Sequence, residues 1–227
     1  GAVTQTAAIT ASGLGLHGTG SFTLNNTGNT VGTLAAGDAT TKVGNLSFTN
    51  AGALSVDTVT SPSFTTTGIT STGTVLVETL SGDLAINQNI STTNATASAV
   101  LFNAGKSTAV GTTTGGNILI TGPPTITAGA GGTIRLMSGS VSGSTGLTSL
   151  VGAGTGRFRY NSDETSTNYT QALGLNVINA IYREQPTATA NIDSFTVTYG
   201  YDQTTTLNNF KPDGTTPLST LRTALNG

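Results

Sequence analysis

Between Gly20 and Gly156 apolar side chains fall on alternate positions in short bursts, each opened by Gly or Gly-Asn and followed by small polar residues. The phrase recurs as GSFTLNN from Gly20, GNLSFTN from Gly44, GALSVDT from Gly52, GTVLVET from Gly73, GDLAINQ from Gly82, GNILITG from Gly116 and GTIRLMS from Gly132. In GNLSFTN, Leu46 and Phe48 alternate with Ser47 and Thr49, and a period of two places both large side chains on one face of an extended strand. Leu54 with Val56, Val75 with Val77, Leu84 with Ile86, Val100 with Phe102, Ile118 with Ile120 and Ile134 with Leu136 repeat it. The pattern predicts strands of about three to five residues, with Gly or Asn supplying the positive backbone angles of sharp corners.

Spacing separates coils from hairpins. Hairpins need two-residue turns of the Asn-Gly kind, whereas the inward residues here step forward from Ile118 to Ile126 to Ile134 and from Val75 to Leu84. A strand plus a corner then forms one side of a three-sided coil of about 24 to 28 residues. Phe22 to Leu46 spans 24 residues and Val75 to Val100 spans 25. The expected fold is all-β, a parallel β-helix (β-solenoid) over 1–156. One coil buries too little apolar surface to offset the ordering of its backbone, so coils persist only when stacked. The Gly/Thr/Ser-rich stretches 28–41, 105–116 and 138–156 read as excursions or loose corners. Two sheets packed face to face remain the competing arrangement, which would need longer strands and more evenly spaced turns.

Charge divides the chain. Up to Gly156 there are 7 charged residues, no Tyr and 27 of the 31 glycines, whereas the remainder holds 11 charges and all five tyrosines. A boundary is therefore expected at Gly156–Arg157, with 157–186 as a capping or linking segment and 187–227 as a further, mainly β module. Within the latter, Thr187 to Tyr201 reads as strand, and Leu218, Leu221 and Leu225 share one face of a short helix opened by Pro217. A net charge of −2 without a basic cluster gives no electrostatic footprint for nucleic acid or an anionic membrane. No apolar run approaches a membrane span. With no cysteine and a single histidine, neither disulfides nor a His/Cys zinc cluster can form.

The chemical motifs weaken on inspection. GLGLHG from Gly13 has the G-x-G-x-x-G pattern, but a dinucleotide site needs a helix to follow, and Gly18 leads into the strand-like GTGSFTLNN. His17 is expected to be an exposed or satisfied corner residue. GKS at Gly105–Ser107 lacks the earlier glycine of a phosphate loop, because Val100 stands there, so Lys106 is expected to be solvated. Glu78 and Asp83 are the one acidic pair close in sequence within the repeats, and glycoside hydrolysis needs two carboxylates; both are expected to be solvated surface charges. The GAGG run at Gly129 lacks the recurring Asp of calcium-binding repeats, and Asp163 with Glu164 reads as a solvated loop pair. Arg157, Phe158, Arg159 and Tyr160 alternate cation and ring, which places Phe158 and Tyr160 on one face to close the stack and leaves both arginines wet. No catalytic, cofactor-binding or metal-binding residue is assigned, and no cofactor.

GNTVGTL from Gly28, GNLSFTNAGALSV from Gly44 and GDLAINQNIST from Gly82 resemble the repeat region of filamentous haemagglutinin-type exoproteins. GRFRYNSDETSTNYTQAL from Gly156 and INAIYREQPT from Ile178 resemble the segment joining such repeats to an MBG-type module. The resemblance implies a right-handed parallel β-helix, exported through an outer-membrane transporter by two-partner secretion and working at the bacterial surface in adhesion or aggregation. The implied partners are a host or bacterial cell-surface receptor or glycan, or copies of the chain itself. The Asn-Pro-rich secretion domain of such proteins is not among these residues, and TVTYG ending at Gly200 resembles only the start of an MBG module, so a fragment of a longer protein is expected. The function expected is a non-catalytic stiff spacer or filament, the alternatives being a self-assembling fibre or matrix subunit and a carbohydrate-binding or carbohydrate-active β-helix.

Overall fold

The structure is a computed structural model and describes residues 1–187. Residues 1–185 form one compact unit and 186–227 a second; the strand expected over 187–201 and the helix expected at 218–225 fall, apart from Thr187, outside the described residues. The first unit runs β1 (Val3–Thr4), β2 (Thr10–Leu16), β3 (Phe22–Leu24), β4 (Thr30–Ala36), β5 (Leu46–Asn50) and β6 (Leu54–Val56). There follow β7 (Thr58–Thr60), β8 (Thr65–Thr67), β9 (Ile69–Ser71), β10 (Val75–Thr79), β11 (Leu84–Ile86) and β12 (Ile90–Thr92). Last come β13 (Val100–Ala104), β14 (Ile118–Ile120), β15 (Ile126–Thr127), β16 (Ile134–Ser138), α1 (Leu147–Val151), β17 (Phe158–Arg159) and β18 (Ile178–Tyr182). Among the described residues no helix is long and apolar enough to cross a membrane.

The unit is all-β with almost no helix, and its two large sheets are parallel. One has the order β1-β3-β5-β10-β13-β16-β18-β17, the other β14-β11-β6-β4-β9-β12-β15 with β2 beside β4. The chain visits the first sheet once and the second twice before returning one strand further along, as in β10, β11, β12 and then β13. Every strand pair within the two large sheets is parallel, unlike sheets built from hairpins; among the described residues the antiparallel exceptions are the β7–β8 hairpin and the isolated Thr133–Leu175 bridge.

Register carries the inward residues into columns. Phe22, Leu46, Val75, Val100, Ile134 and Ile178 are successive partners, as are Leu24, Phe48, Val77, Phe102, Leu136 and Ala180. On the second sheet Leu54, Leu84 and Ile118 stack, as do Ile69, Ile90 and Ile126. All but Ile178, at the end of its column, are buried, so each alternating pair read from the sequence points into one core. At about 1.5 to 3 kcal/mol per fully buried aliphatic or aromatic side chain, these columns are the main source of cohesion.

The repeat length differs from the expected 24 to 28 residues. Successive first-sheet partners lie 24, 29, 25, 34 and 44 residues apart from Phe22 to Ile178. The two intervals without insertions keep the expected length. The coil after β5 carries the antiparallel β7–β8 hairpin, the coil after β13 the 105–116 excursion, and the last one α1 and β17. The stretch 28–41 is not a loose excursion, because β4 fills it with buried Val31, Leu34, Ala35 and Ala36 and joins both arms of the second sheet. Thr, Ala and Gly there hid a strand whose longest pairing is with the similarly Gly-, Ala- and Thr-containing β2.

Corners divide into two kinds. Glycines such as Gly82, at φ +82 with backbone of Ala53 2.8 Å from where a Cβ would sit, take the left-handed bend. Among the described asparagines only Asn161 and Asn176 have positive φ. The others named in the repeats act through their amides: Asn50 Oδ1 accepts from the Val31 amide at 2.8 Å, and its Nδ2 donates to the carbonyls of Val31, Gly52 and Ala53.

The GLGL of β2 owes its glycines to the hairpin folded against it. A Cβ on Gly13 would lie 3.3 Å from Val59, and one on Gly15 would lie 2.7 Å from the Phe64 ring. Gly15→Val is therefore expected to expel Phe64 and lower stability by about 1 to 3 kcal/mol. Urea denaturation of the variant checks this, and an unchanged midpoint would show that the hairpin does not rest on β2.

Candidate functional site

Ionisable side chains gather where the 105–116 excursion meets the 161–166 segment beside the end of the first sheet. Glu78 and Asn103 are partners in the β10–β13 ladder and fall at outward positions of the alternation, yet they are 5% and 0% exposed. Lys106 Nζ lies 2.5 Å from Glu78 Oε2, and Thr49 Oγ1 donates to the same oxygen at 3.4 Å. Glu78 is thus a covered carboxylate paired with a partly exposed Lys106, not the solvated charge expected, because the turn after β13 returns across the face of β10 with the Lys106 amide bonded to the Thr79 carbonyl. Asp83 stands apart from Glu78 and accepts the Asn117 amide at 2.9 Å.

Asp163 and Glu164 do not simply face water. Asp163 Oδ2 accepts the Val110 amide at 3.0 Å, Glu164 Oε1 accepts the Ser107 amide at 2.5 Å, and Glu164 Oε2 accepts Asn103 Nδ2 at 3.3 Å. Burial pushes the Asp163 carboxyl up, but the Thr165 hydroxyl and the amides of Thr165, Ser166 and Val110 outweigh it and hold the group below its ordinary 3.8. A depressed carboxyl stabilises the fold above the unfolded-state value and loses that contribution as pH falls through the folded one. The Val110 amide proton shift is accordingly expected to titrate with a midpoint below 3.8, and Asp163→Asn to abolish the transition. A midpoint at or above that value would contradict the bond.

Arg183 closes the group from below. Fully buried, it donates through Nη1 to the Ala104 carbonyl at 2.7 Å and through Nη2 to the carbonyls of Thr114 and Gly116 at 3.2 and 2.8 Å. Burial lowers its pKa, with Glu164 and Asp163 opposing that shift. Next to it, the Tyr182 ring stacks on those of Phe158 and Tyr160 at ring-centroid distances of 6.4 and 5.6 Å. Burial raises this phenol to about 12. The two rings expected to close the stack do pack at the last strands of the first sheet, but Arg159 is 2% exposed instead of wet. The 156–174 stretch folds over it, with carbonyls of Gly156, Phe158 and Ala172 accepting its guanidinium and the Tyr169 ring 5.5 Å away.

The remaining motifs take quiet positions. Gly13–Leu16 lie in β2 and no helix follows, while His17 is exposed, 3.2 Å from Asp38 and edge-on to Phe64. Among the described residues no group of three or more His, Cys, Asp or Glu could hold a metal ion. Sequence reasoning assigned no role to Asn103 or Arg183; the only hint was the YREQP phrase, whose Tyr, Arg and Glu all lock the final coil, Glu184 through the Val141 amide at 2.7 Å. No protein-family model, curated protein or solved structure matches this chain.

Proposed function

We propose that this chain is a non-catalytic structural and adhesive segment of a large secreted bacterial surface protein, a stiff spacer whose coils wind as a right-handed parallel β-helix. The observation that carries the reading is the use to which its acids are put. Each of the seven acidic residues among those described accepts hydrogen bonds from within the chain: Asp38 from Thr40 and Thr41, Asp57 from Thr58, Asn87 and Gln88, Glu78 from Lys106 and Thr49, and Asp83 from Asn117. Asp163, Glu164 and Glu184 accept from Val110, Ser107 and Val141 in the same way. Carboxylates committed to pinning turns are poorly placed to act as a general acid and nucleophile pair. The in-register columns support the spacer role, because neighbouring coils contact one another along the whole ladder and resist bending. The surface location, the two-partner export and the receptor or glycan partners rest on the phrases that resemble filamentous haemagglutinin-type repeats.

Two measurements test it. Incubated with a panel of polysaccharides, the chain is expected to release neither reducing ends nor unsaturated products; turnover lost in Glu78→Ala would overturn the non-catalytic reading. Displayed on a non-adherent bacterium, it is expected to retain cells on host-cell or glycan surfaces above an empty display control, and retention no better than the control would remove the adhesive part.

A further inference from the structure

The contact of Lys106 with Glu78 beside Asn103 sets out the components of a self-forming cross-link. Glu78 and Asn103 are ladder partners on adjacent strands, roughly 4.8 Å apart at the backbone, and both side chains are closed off from water. Lys106 brings its ammonium to Glu78 Oε2 at 2.5 Å. The Asn103 amide is fixed in orientation, since its Nδ2 donates to Glu164 Oε2 and a flip would set Oδ1 against that carboxylate. Its Oδ1 is left buried without a hydrogen-bond partner, an unusual state for an amide oxygen in a folded protein. The amine therefore touches a carboxylate base whose ladder partner is a shielded amide.

We propose that Lys106 and Asn103 join in an intramolecular isopeptide bond, with Glu78 as the base. Glu78 takes one proton from the Lys106 ammonium, and the freed amine attacks Cγ of Asn103. The Nζ–Cγ bond forms and the Cγ–Nδ2 bond breaks. Of the three ammonium protons, one stays on Glu78, one moves to Nδ2, which departs as ammonia, and one remains on the new amide. Nothing is oxidised or reduced and no cofactor or co-reactant enters. The product closes a ring over Ala104 and Gly105, locks the start of the 105–116 excursion, and leaves the buried Glu78 carboxyl neutral, which burial favours.

Intact-mass measurement of the full chain, followed by tryptic mapping and reductive methylation of free amines, tests the bond. The expected result is a chain lighter than its sequence by one ammonia, uncut at Lys106 and unmethylated there, with the full sequence mass restored in Lys106→Arg. Glu78→Gln that is still folded by circular dichroism is expected to keep the full mass. A wild-type chain at full mass with Lys106 cut and methylated would overturn the proposal. So would an ammonia-lighter chain in which Lys106 is still methylated, since the ammonia is then lost by succinimide formation at an asparagine and not by a bond to Lys106. Loss of ammonia in Glu78→Gln would overturn the role given to Glu78.

Discussion

Arg183→Ala is expected to lower stability by about 4 kcal/mol, the largest effect of any single substitution considered for this chain. The side chain is buried and serves three carbonyls, those of Ala104, Thr114 and Gly116, on both ends of one excursion. Truncation leaves those acceptors without their donor and leaves Asp163 and Glu164, which act favourably on the guanidinium, without their counter-charge. Arg183→Lys keeps the charge but not the planar fork that reaches separated acceptors, so it should recover less than half of the loss. Because each strand of the first sheet pairs only with its neighbours, the damage should concentrate near the β18 end of that sheet. Hydrogen exchange at Gly111, whose amide bonds the Arg183 carbonyl, should rise far more than exchange at Val56. Urea denaturation gives the magnitude, and a loss below about 1 kcal/mol would mean that Arg183 behaves as an exposed surface charge does.

Asn50→Leu is the second large effect, at about 3 kcal/mol. The substitution nearly preserves volume, so packing contributes little and the lost hydrogen bonds dominate. Four are removed: the Val31 amide to Oδ1, and Nδ2 to the carbonyls of Val31, Gly52 and Ala53. Asn50 is 1% exposed, so water does not replace them. Ser47→Ala, at an outward position of the same strand, should change stability by no more than about 0.5 kcal/mol. Equal midpoints for the two variants would show that the corner amide does not hold β5 to β4.

The columns were legible because Leu46, Phe48, Val75, Val77, Val100 and Phe102 alternate with smaller or more polar neighbours, and period two has one structural meaning in short bursts. The offsets of 24 and 25 residues also emerged from those apolar positions alone, and both are true ladder registers. Insertions were not legible: Val59 and Phe64 alternate like any other strand, and only the glycines they cover in β2 distinguish the hairpin from a coil side. The polar group at the end of the sheet was missed for a related reason. Glu78, Lys106 and Glu164 are far apart in sequence and read as exposed charges, and only the register that places Glu78 beside Asn103, together with the turn that returns Lys106 to Glu78 and the bond from Asn103 to Glu164, gathers them. Arg159 was misread because alternation describes a strand face and says nothing of a later segment folding over it.

An in-register parallel stack fixes the distance between outward positions along the first sheet. The chain has no cysteine, so Thr23→Cys with Arg135→Cys gives two unique sites for spin labels. Their positions belong to one outward column, Thr23, Ser47, Leu76, Leu101 and Arg135, four strand spacings long. Double electron–electron resonance should give a single narrow distribution corresponding to a backbone separation of about 19 Å, four spacings of roughly 4.8 Å. A distribution centred beyond about 30 Å, or one without a defined maximum, would contradict the stack, since no other packing of these residues is required to bring positions 23 and 135 to that spacing.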